Sequence, residues 1–237
     1  VSHLQDQDFG FDTWGFPNSP SEDARTADDF IIPQGQQWQI DTITFFAYQT
    51  ISAQVKAETS TINTINLRIW DGPPGDPPST VVWGDTQTNI LSSTSWTNVY
   101  RVSQYDESLN NRAIMEVVAD VDTVLSEGTY WLDWQTDGSA AYPGPYAPPI
   151  TILGSKSTGN GLMYFGGIWQ MANDYEWFSI PQQQGFPFQV DGTRVPVYAI
   201  SEAAPLIGEE VVFTITGIPG NIDRATWNLG GTGCNDA

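Results

Sequence analysis

The feature that most constrains the fold is a period-two alternation of apolar and polar side chains, which recurs in short runs along the chain. The clearest run covers residues 65–70, where Ile65, Leu67 and Ile69 alternate with Asn66, Arg68 and Trp70. Successive side chains of a β-strand point to opposite faces, so this pattern predicts strands that are buried on one side. About ten runs of this type lie between residues 38 and 190, and their short spacing is typical of a β-sandwich.

Proline and glycine separate these runs. The chain has 22 Gly and 16 Pro, and the loops at residues 71–78 (DGPPGDPP) and 138–149 (GSAAYPGPYAPP) cannot continue a strand, because each proline lacks a backbone donor. We therefore expect an all-β protein with a jelly-roll-type β-sandwich over residues 25–193. Residues 1–24 show no clear period and are predicted to form an N-terminal arm.

The charge balance excludes several classes of partner. The sequence has 28 acidic and 8 basic residues, a formal net charge of −20, and no cluster of Lys or Arg. Binding to nucleic acid or to an anionic membrane needs such a cluster, so neither partner is expected. No stretch approaches the roughly 18 apolar residues of a membrane span, and Cys234 is the single cysteine, which excludes an intrachain disulfide.

Five short segments carry a resemblance to a known type of protein. They are residues 27–33 (ADDFIIP), 67–73 (LRIWDGP), 82–85 (VWGD), 128–134 (GTYWLDW) and 144–149 (GPYAPP). With them, residues 27–192 resemble an uncharacterised jelly-roll-like module of exported bacterial proteins. The resemblance implies an extracellular or cell-surface location, and it implies no reaction. The chain also begins at Val1 rather than at Met, which we interpret as removal of a signal peptide.

The C-terminal residues predict a second β module after a boundary near residues 191–201. Residues 208–213 (GEEVVF) and 225–231 (ATWNLGG) resemble the first half of a PKD-type immunoglobulin-like domain, over about 202–233, although Leu229 and Gly231 depart from the family's pattern. The resemblance implies a partial Ig-like module over residues 202–237. Such a module packs on the main sandwich, is completed by a strand of a neighbouring copy, or results from trimming, and the sequence leaves all three open.

The sequence offers no recognisable catalytic group. Its only histidine, His3, lies in the predicted arm, where a general base could not be held in place. No nucleophile elbow, zinc-ligand cluster or phosphate-binding loop occurs. We therefore expect a protein that is not an enzyme. A pair of carboxylates, as glycosidases use, stays open as an alternative because acidic residues are so numerous.

Calcium is the one cofactor that the sequence suggests. Asp71, Asp76 and Asp85 bracket the proline-rich loop, and calcium prefers several carboxylate and carbonyl oxygens. A second site could use Asp28 with Asp29, or Asp133 with Asp137. The alternative is that these aspartates cap turns, as aspartate commonly does.

Aromatic side chains beside polar loops are the candidate ligand-binding residues. The candidates are Tyr142, Tyr146, Trp169 and Trp177, with Asn173 as a hydrogen-bonding neighbour. Large aromatics on polar loops are common in recognition sites, but aromatics in a β-sandwich also fill its core. Core positions are expected for three other tryptophans: Trp70, Trp131 and Trp134.

Three functional hypotheses follow. The first is an exported, non-catalytic module for adhesion to, or binding of, an extracellular polysaccharide or surface polymer, stabilised by calcium. The second is a structural subunit of an extracellular filament or surface layer, which binds copies of itself through strand addition. The third is a glycosidase-like enzyme, which would need two carboxylates in one cleft.

Overall fold

The computed structural model describes residues 2–4, 6–51, 58–176, 180–200 and 213–216. They form strands β1 (Ser2–Leu4), β2 (Phe16–Pro17), β3 (Arg25–Ala47), β4 (Ile62–Trp70), β5 (Val81–Asp85), β6 (Leu91–Ser103), β7 (Ala113–Gly138), β8 (Tyr146–Ala147), β9 (Leu162–Phe165), β10 (Ile168–Met171), β11 (Asn173–Glu176), β12 (Ile180–Gln183), β13 (Phe188–Val195), β14 (Val197–Ile200) and β15 (Phe213–Thr216). The all-β prediction is confirmed. The two described helices have three residues each, so none in this part of the chain could reach across a bilayer.

Two long strands, β3 and β7, organise the fold. They pair antiparallel along most of their length, and their register shifts between Ile32 and Gln37 and again between Ile40 and Thr42. Such irregularities bend a strand and increase its twist. The N-terminal half of β3 and the C-terminal half of β7 therefore belong to one layer, and the remaining halves belong to the other.

A ring contact shows that the sheet folds back on itself. Phe45 pairs with Val117, whereas Trp134 pairs with Thr26 at the opposite end of β3. In a straight strand, positions 26 and 45 would be about 60 Å apart, at roughly 3.3 Å per residue. The rings of Phe45 and Trp134 nevertheless stack with their centroids 4.6 Å apart. The two layers thus face each other across one core, as in a β-sandwich.

The strand order places different neighbours on each layer. The first layer runs β5-β4-β7-β3-β9-β10, and the second runs β1-β6-β7-β3-β13. This arrangement supports the predicted sandwich but does not establish the jelly-roll connectivity, which stays a prediction. The shared core contains aliphatic residues from β3, β4 and β7, and an aromatic group formed by Phe16, Phe45, Trp134 and Phe186.

The described N-terminal residues lie on the sandwich. β1 pairs in parallel with β6, β2 pairs with β8, and Leu4 is buried. His3, which was expected in a loose arm, lies within β1, and its Nε2 is 3.0 Å from Oε1 of Glu107. Because β1 is paired with β6 of its own chain, donation of this segment to a neighbouring copy would first require its release.

The described strands continue through the predicted boundary near residues 191–201. β13 extends to Val195, and β14 pairs antiparallel with β15. The remaining residues of the predicted Ig-like module, 202–212 and 217–237, lie outside the described residues.

Candidate ligand-binding cleft

An open cleft of about 610 Å³ lies on the outer face of the first layer. Its polar lining includes Arg25, Asn66, Arg68 and Gln135, and its aromatic lining consists of Trp70, Tyr164 and Trp169. A volume of this size is within the range of small-molecule sites, which is about 300–1,000 Å³. The cleft is therefore large enough for one or more sugar rings.

Strand alternation directs these side chains outward. On β4, Ile65, Leu67 and Ile69 are buried in the core, and the side chains between them line the cleft. This confirms the alternation predicted for residues 65–70. Trp70 was expected in the core, and that prediction is wrong, because Trp70 lies half-buried on the outer face. Trp131 and Trp134 are buried as expected.

Strand register then brings distant residues together. Asn66 is opposite Gln135 on β7, and Arg25 on β3 is opposite Tyr164 on β9. Tyr164 is in turn opposite Trp169 on β10. Directly opposed residues of neighbouring strands share a face, so these pairs form a row that crosses the layer.

A buried carboxylate holds the floor of the cleft. The side chain of Asp133 is 0% exposed and forms ion pairs with Arg25 and Arg68. Arg68 donates from Nε to Oδ2 of Asp133 at 2.7 Å, and Nε1 of Trp70 donates to the same oxygen at 3.0 Å. A buried charge needs such partners, because removal from water without them is costly.

Arg25 connects this carboxylate to the amide groups of the floor. Its Nη1 donates to Oδ1 of Asn66 at 2.6 Å and to Oε1 of Gln135 at 3.4 Å. Burial lowers the pKa of Arg25, and the charge and hydrogen bond of Asp133 oppose that shift. The floor is thus a connected polar network whose members hold one another in position.

The aromatic walls are also held by contacts. The guanidinium carbon of Arg68 lies 5.0 Å from the centre of the Trp70 ring, and the Tyr164 and Trp169 rings are 5.5 Å apart. The proline-rich loop reaches Trp169 at Gly75, which has φ of 78°; a Cβ there would lie 2.7 Å from Cδ1 of Trp169. Gly75 is therefore required both by its left-handed backbone and by the close approach of the indole.

The other predicted ligand-binding residues lie elsewhere. Tyr146 belongs to β8, where its ring lies 5.6 Å from that of Tyr48, and Tyr142 packs against the core. Asn173 pairs with Gln183 in the small sheet of β11 and β12. Trp177 lies outside the described residues. Of the five predicted ligand-binding residues, Trp169 is the one that the described part of the chain places in the cleft.

The predicted calcium ligands are occupied by turn contacts. Oδ1 of Asp71 accepts from the Thr80 N–H at 2.5 Å, and Oδ1 of Asp85 accepts from the N–H groups of Gln87 and Thr88. These bonds lower the pKa of both aspartates. Asp76 is exposed, and no group of three or more His, Cys, Asp or Glu residues within the described ranges could hold a metal ion. Asp71 and Asp85 thus cap turns in this structure. Calcium binding stays a prediction.

The carboxylates that were candidates for a second calcium site also form contacts within the protein. Asp133 is bonded to the two arginines of the cleft floor, and Asp28 accepts from the backbone N–H groups of Asp29 and Phe186. Among the described side chains that line the cleft, Asp23 is the one carboxylate.

Comparisons with known proteins give no relative for this chain: no family model, no curated protein and no solved structure matches it. The cleft was not recognisable as a unit in the sequence, because its residues come from five strands. The only signals were the outward alternation of Asn66, Arg68 and Trp70 and the position of Trp169 beside a polar loop.

Proposed function

We propose that this chain is an exported, non-catalytic β-sandwich module that binds the carbohydrate of an extracellular polymer. The observation that carries the proposal is the cleft, in which two tryptophans and a tyrosine lie beside a floor of amide and guanidinium groups. Binding sites for small molecules combine apolar aromatic surface with a few convergent polar groups in this way.

The two kinds of lining match the two kinds of surface on a sugar. The C–H faces of a pyranose ring are apolar and pack against aromatic side chains, which present large apolar area with little loss of entropy. Sugar hydroxyls both donate and accept hydrogen bonds, and amide side chains such as Asn66 and Gln135 can do the same. Since these amides are held in place by Arg25, little ordering would be required on binding.

The test is a screen against neutral and acidic polysaccharides, followed by calorimetric titration of those that bind. We expect Trp169→Ala to weaken binding about tenfold or more, the loss typical of a central aromatic contact. Phe165→Ala is the matched control, because Phe165 is on the same hairpin, is 43% exposed and does not line the cleft. Absence of binding across the screen, or equal losses for both variants, would reject the proposal.

Each titration is repeated with calcium and with a chelator. If calcium stabilises the module, its addition should raise the midpoint of thermal unfolding of the unmodified protein, by mass action on the folded state. An unchanged midpoint would remove calcium from the proposal without affecting the carbohydrate site.

A further inference from the structure

The charge of the cleft differs from that of the whole chain. The sequence has 28 acidic and 8 basic residues, yet the charged side chains that line the cleft are Arg25, Arg68 and Asp23. Two of the eight basic residues thus lie in one cleft that exposes a single acid. At physiological ionic strength, charges further than about 8 Å away are largely screened, so a ligand in the cleft responds mainly to the local groups. There the two arginines balance Asp23 and the buried Asp133, and the strong negative charge of the whole chain is not repeated.

Arg68 retains hydrogen-bonding capacity that its structural role does not use. Its Nε donates to Oδ2 of Asp133 at 2.7 Å, and its Nη2 lies 2.6 Å from the same oxygen in an ion pair, so Asp133 occupies one edge of the planar guanidinium. Nη1 and the second N–H of Nη2 form the other edge, and no described residue bonds to Nη1. The side chain is 23% exposed and lines the cleft.

One arginine is enough to balance the charge of Asp133. Asp133 already forms an ion pair with Arg25, whose side chain is 5% exposed, and it accepts from the Trp70 indole. Arg68 adds a second positive charge to the same acid, and Asp23, which also lines the cleft, is the carboxylate that offsets it. Among the described residues no ion pair joins Asp23 to Arg68, so the outer edge of that guanidinium is left for a ligand.

We propose that the cleft recognises an acidic sugar, a uronic acid unit of a polysaccharide, whose carboxylate binds to the unused edge of Arg68. This inference rests on the proposed carbohydrate function and names the class of its ligand. A planar carboxylate can accept two parallel hydrogen bonds from one guanidinium edge, which gives both strength and orientation. The sugar ring then lies against one of the aromatic side chains that line the cleft.

The experiment compares acidic polymers with their own neutral forms. Polygalacturonate, alginate and hyaluronate are each titrated beside the same polymer after reduction of its carboxyl groups to alcohols, at 0.15 M salt. We expect at least one acid form to bind about tenfold or more tightly than its reduced form, since a hydrogen bond between charged groups contributes more than one between neutral groups.

Arg68→Gln is the variant that assigns this preference to one side chain. It should bring the acid and reduced forms of each polymer to the same affinity, and Arg68→Lys should restore only part of the difference because an ammonium cannot make the bidentate contact. Arg112→Gln is the matched control, because Arg112 also lies over a tryptophan, Trp14, outside the cleft. Denaturant unfolding of each variant establishes that it is folded.

The outcomes separate this inference from the proposed function. If sugars bind and Trp169→Ala weakens them, but no acid form is preferred or Arg68→Gln leaves the preference intact, the acidic-sugar inference is overturned and the carbohydrate function stands. If no polymer binds in either form, both fail.

Discussion

Nη2 of Arg68 lies 2.6 Å from Oδ2 of Asp133, and this carboxylate is wholly buried beneath the cleft. The same oxygen accepts the indole N–H of Trp70. One acid therefore holds in place both a charged and an aromatic side chain of the candidate site. A substitution of Asp133 is therefore expected to affect both the stability of the first layer and the geometry of the cleft.

Asp133→Asn should destabilise the protein by about 3 kcal/mol, because it leaves two arginines close together without a compensating charge, and loss of one partner of a buried ion pair typically costs 3–5 kcal/mol. The free energy of unfolding in urea measures the effect. Asp191→Asn is the control, since the side chain of Asp191 is exposed and, among the described residues, bonds to Gln189, and a change below about 0.5 kcal/mol is expected there. Similar values for the two variants would contradict the structural role of Asp133.

Trp134→Ala should be among the most destabilising single substitutions in the sandwich, with a loss of about 3–5 kcal/mol. Trp134 is 1% exposed and contacts Phe45 and Phe186, so truncation leaves a cavity where the two layers meet. Trp169→Ala, on the outer face, should cost about 1 kcal/mol. Urea unfolding of both variants tests the difference, and a reversed order would mean that Trp134 does not hold the layers together.

Sequence alone predicted the class of fold well, for a clear reason. Alternation is a local property, and residues 65–70 show it without ambiguity, so the buried and outward faces of β4 were assigned correctly. The same alternation conflicts with the expectation that Trp70 is a core residue. That expectation came from the size and apolarity of tryptophan, and the position within the strand was the better guide.

The cleft could not be predicted because it depends on register. Arg25 and Asp133 are 108 residues apart in sequence, and they meet only because β3 pairs with β7. No local pattern encodes which strands become neighbours. The N-terminal segment illustrates the same point, since residues without periodicity are held by Arg101, a residue far away in the chain.

Arg101→Lys should loosen the N-terminal segment without unfolding the sandwich. The buried guanidinium donates from Nε to the carbonyl of Trp14 at 2.9 Å, from Nη1 to that of His3 at 2.9 Å and from Nη2 to that of Thr13 at 3.2 Å. Lysine keeps the charge but cannot reach acceptors in this planar arrangement. We expect amide hydrogen exchange in β1 to quicken about tenfold or more, while exchange in β3 and β7 is unchanged.

Arg194→Gln is the control for that experiment, because Arg194 is exposed and lies at the end of β13. Its exchange pattern should match that of the unmodified protein. If Arg101→Lys also left β1 unchanged, pairing with β6 would be sufficient to hold the segment. If β1 were released, size measurement by light scattering would show whether free segments pair with other copies of the chain.

Asp28 should titrate near pH 6. Its Oδ2 accepts from the Phe186 N–H at 2.6 Å and its Oδ1 from the Asp29 N–H at 2.9 Å, and these bonds favour the charged form. Burial has the larger effect and raises the pKa from 3.8 to about 6, and the nearby charge of Asp29 adds to it. The folded protein therefore binds this proton more tightly than the unfolded chain does. The stability that the proton contributes is complete below about pH 4 and is lost as the pH rises through 6.

The titration can be measured directly and through stability. Carbon-13 NMR of the Asp28 carboxyl group should give a midpoint close to 6, and a midpoint below 4 would contradict the effect of burial. Asp28→Asn removes this group while leaving the other acids, so the pH dependence of the difference in unfolding free energy isolates it. Between pH 4 and 7 the unmodified protein should lose about 2.5 kcal/mol relative to the variant, most of the free energy that a shift of about two pKa units represents. A constant difference across that range would show that Asp28 is ionised throughout.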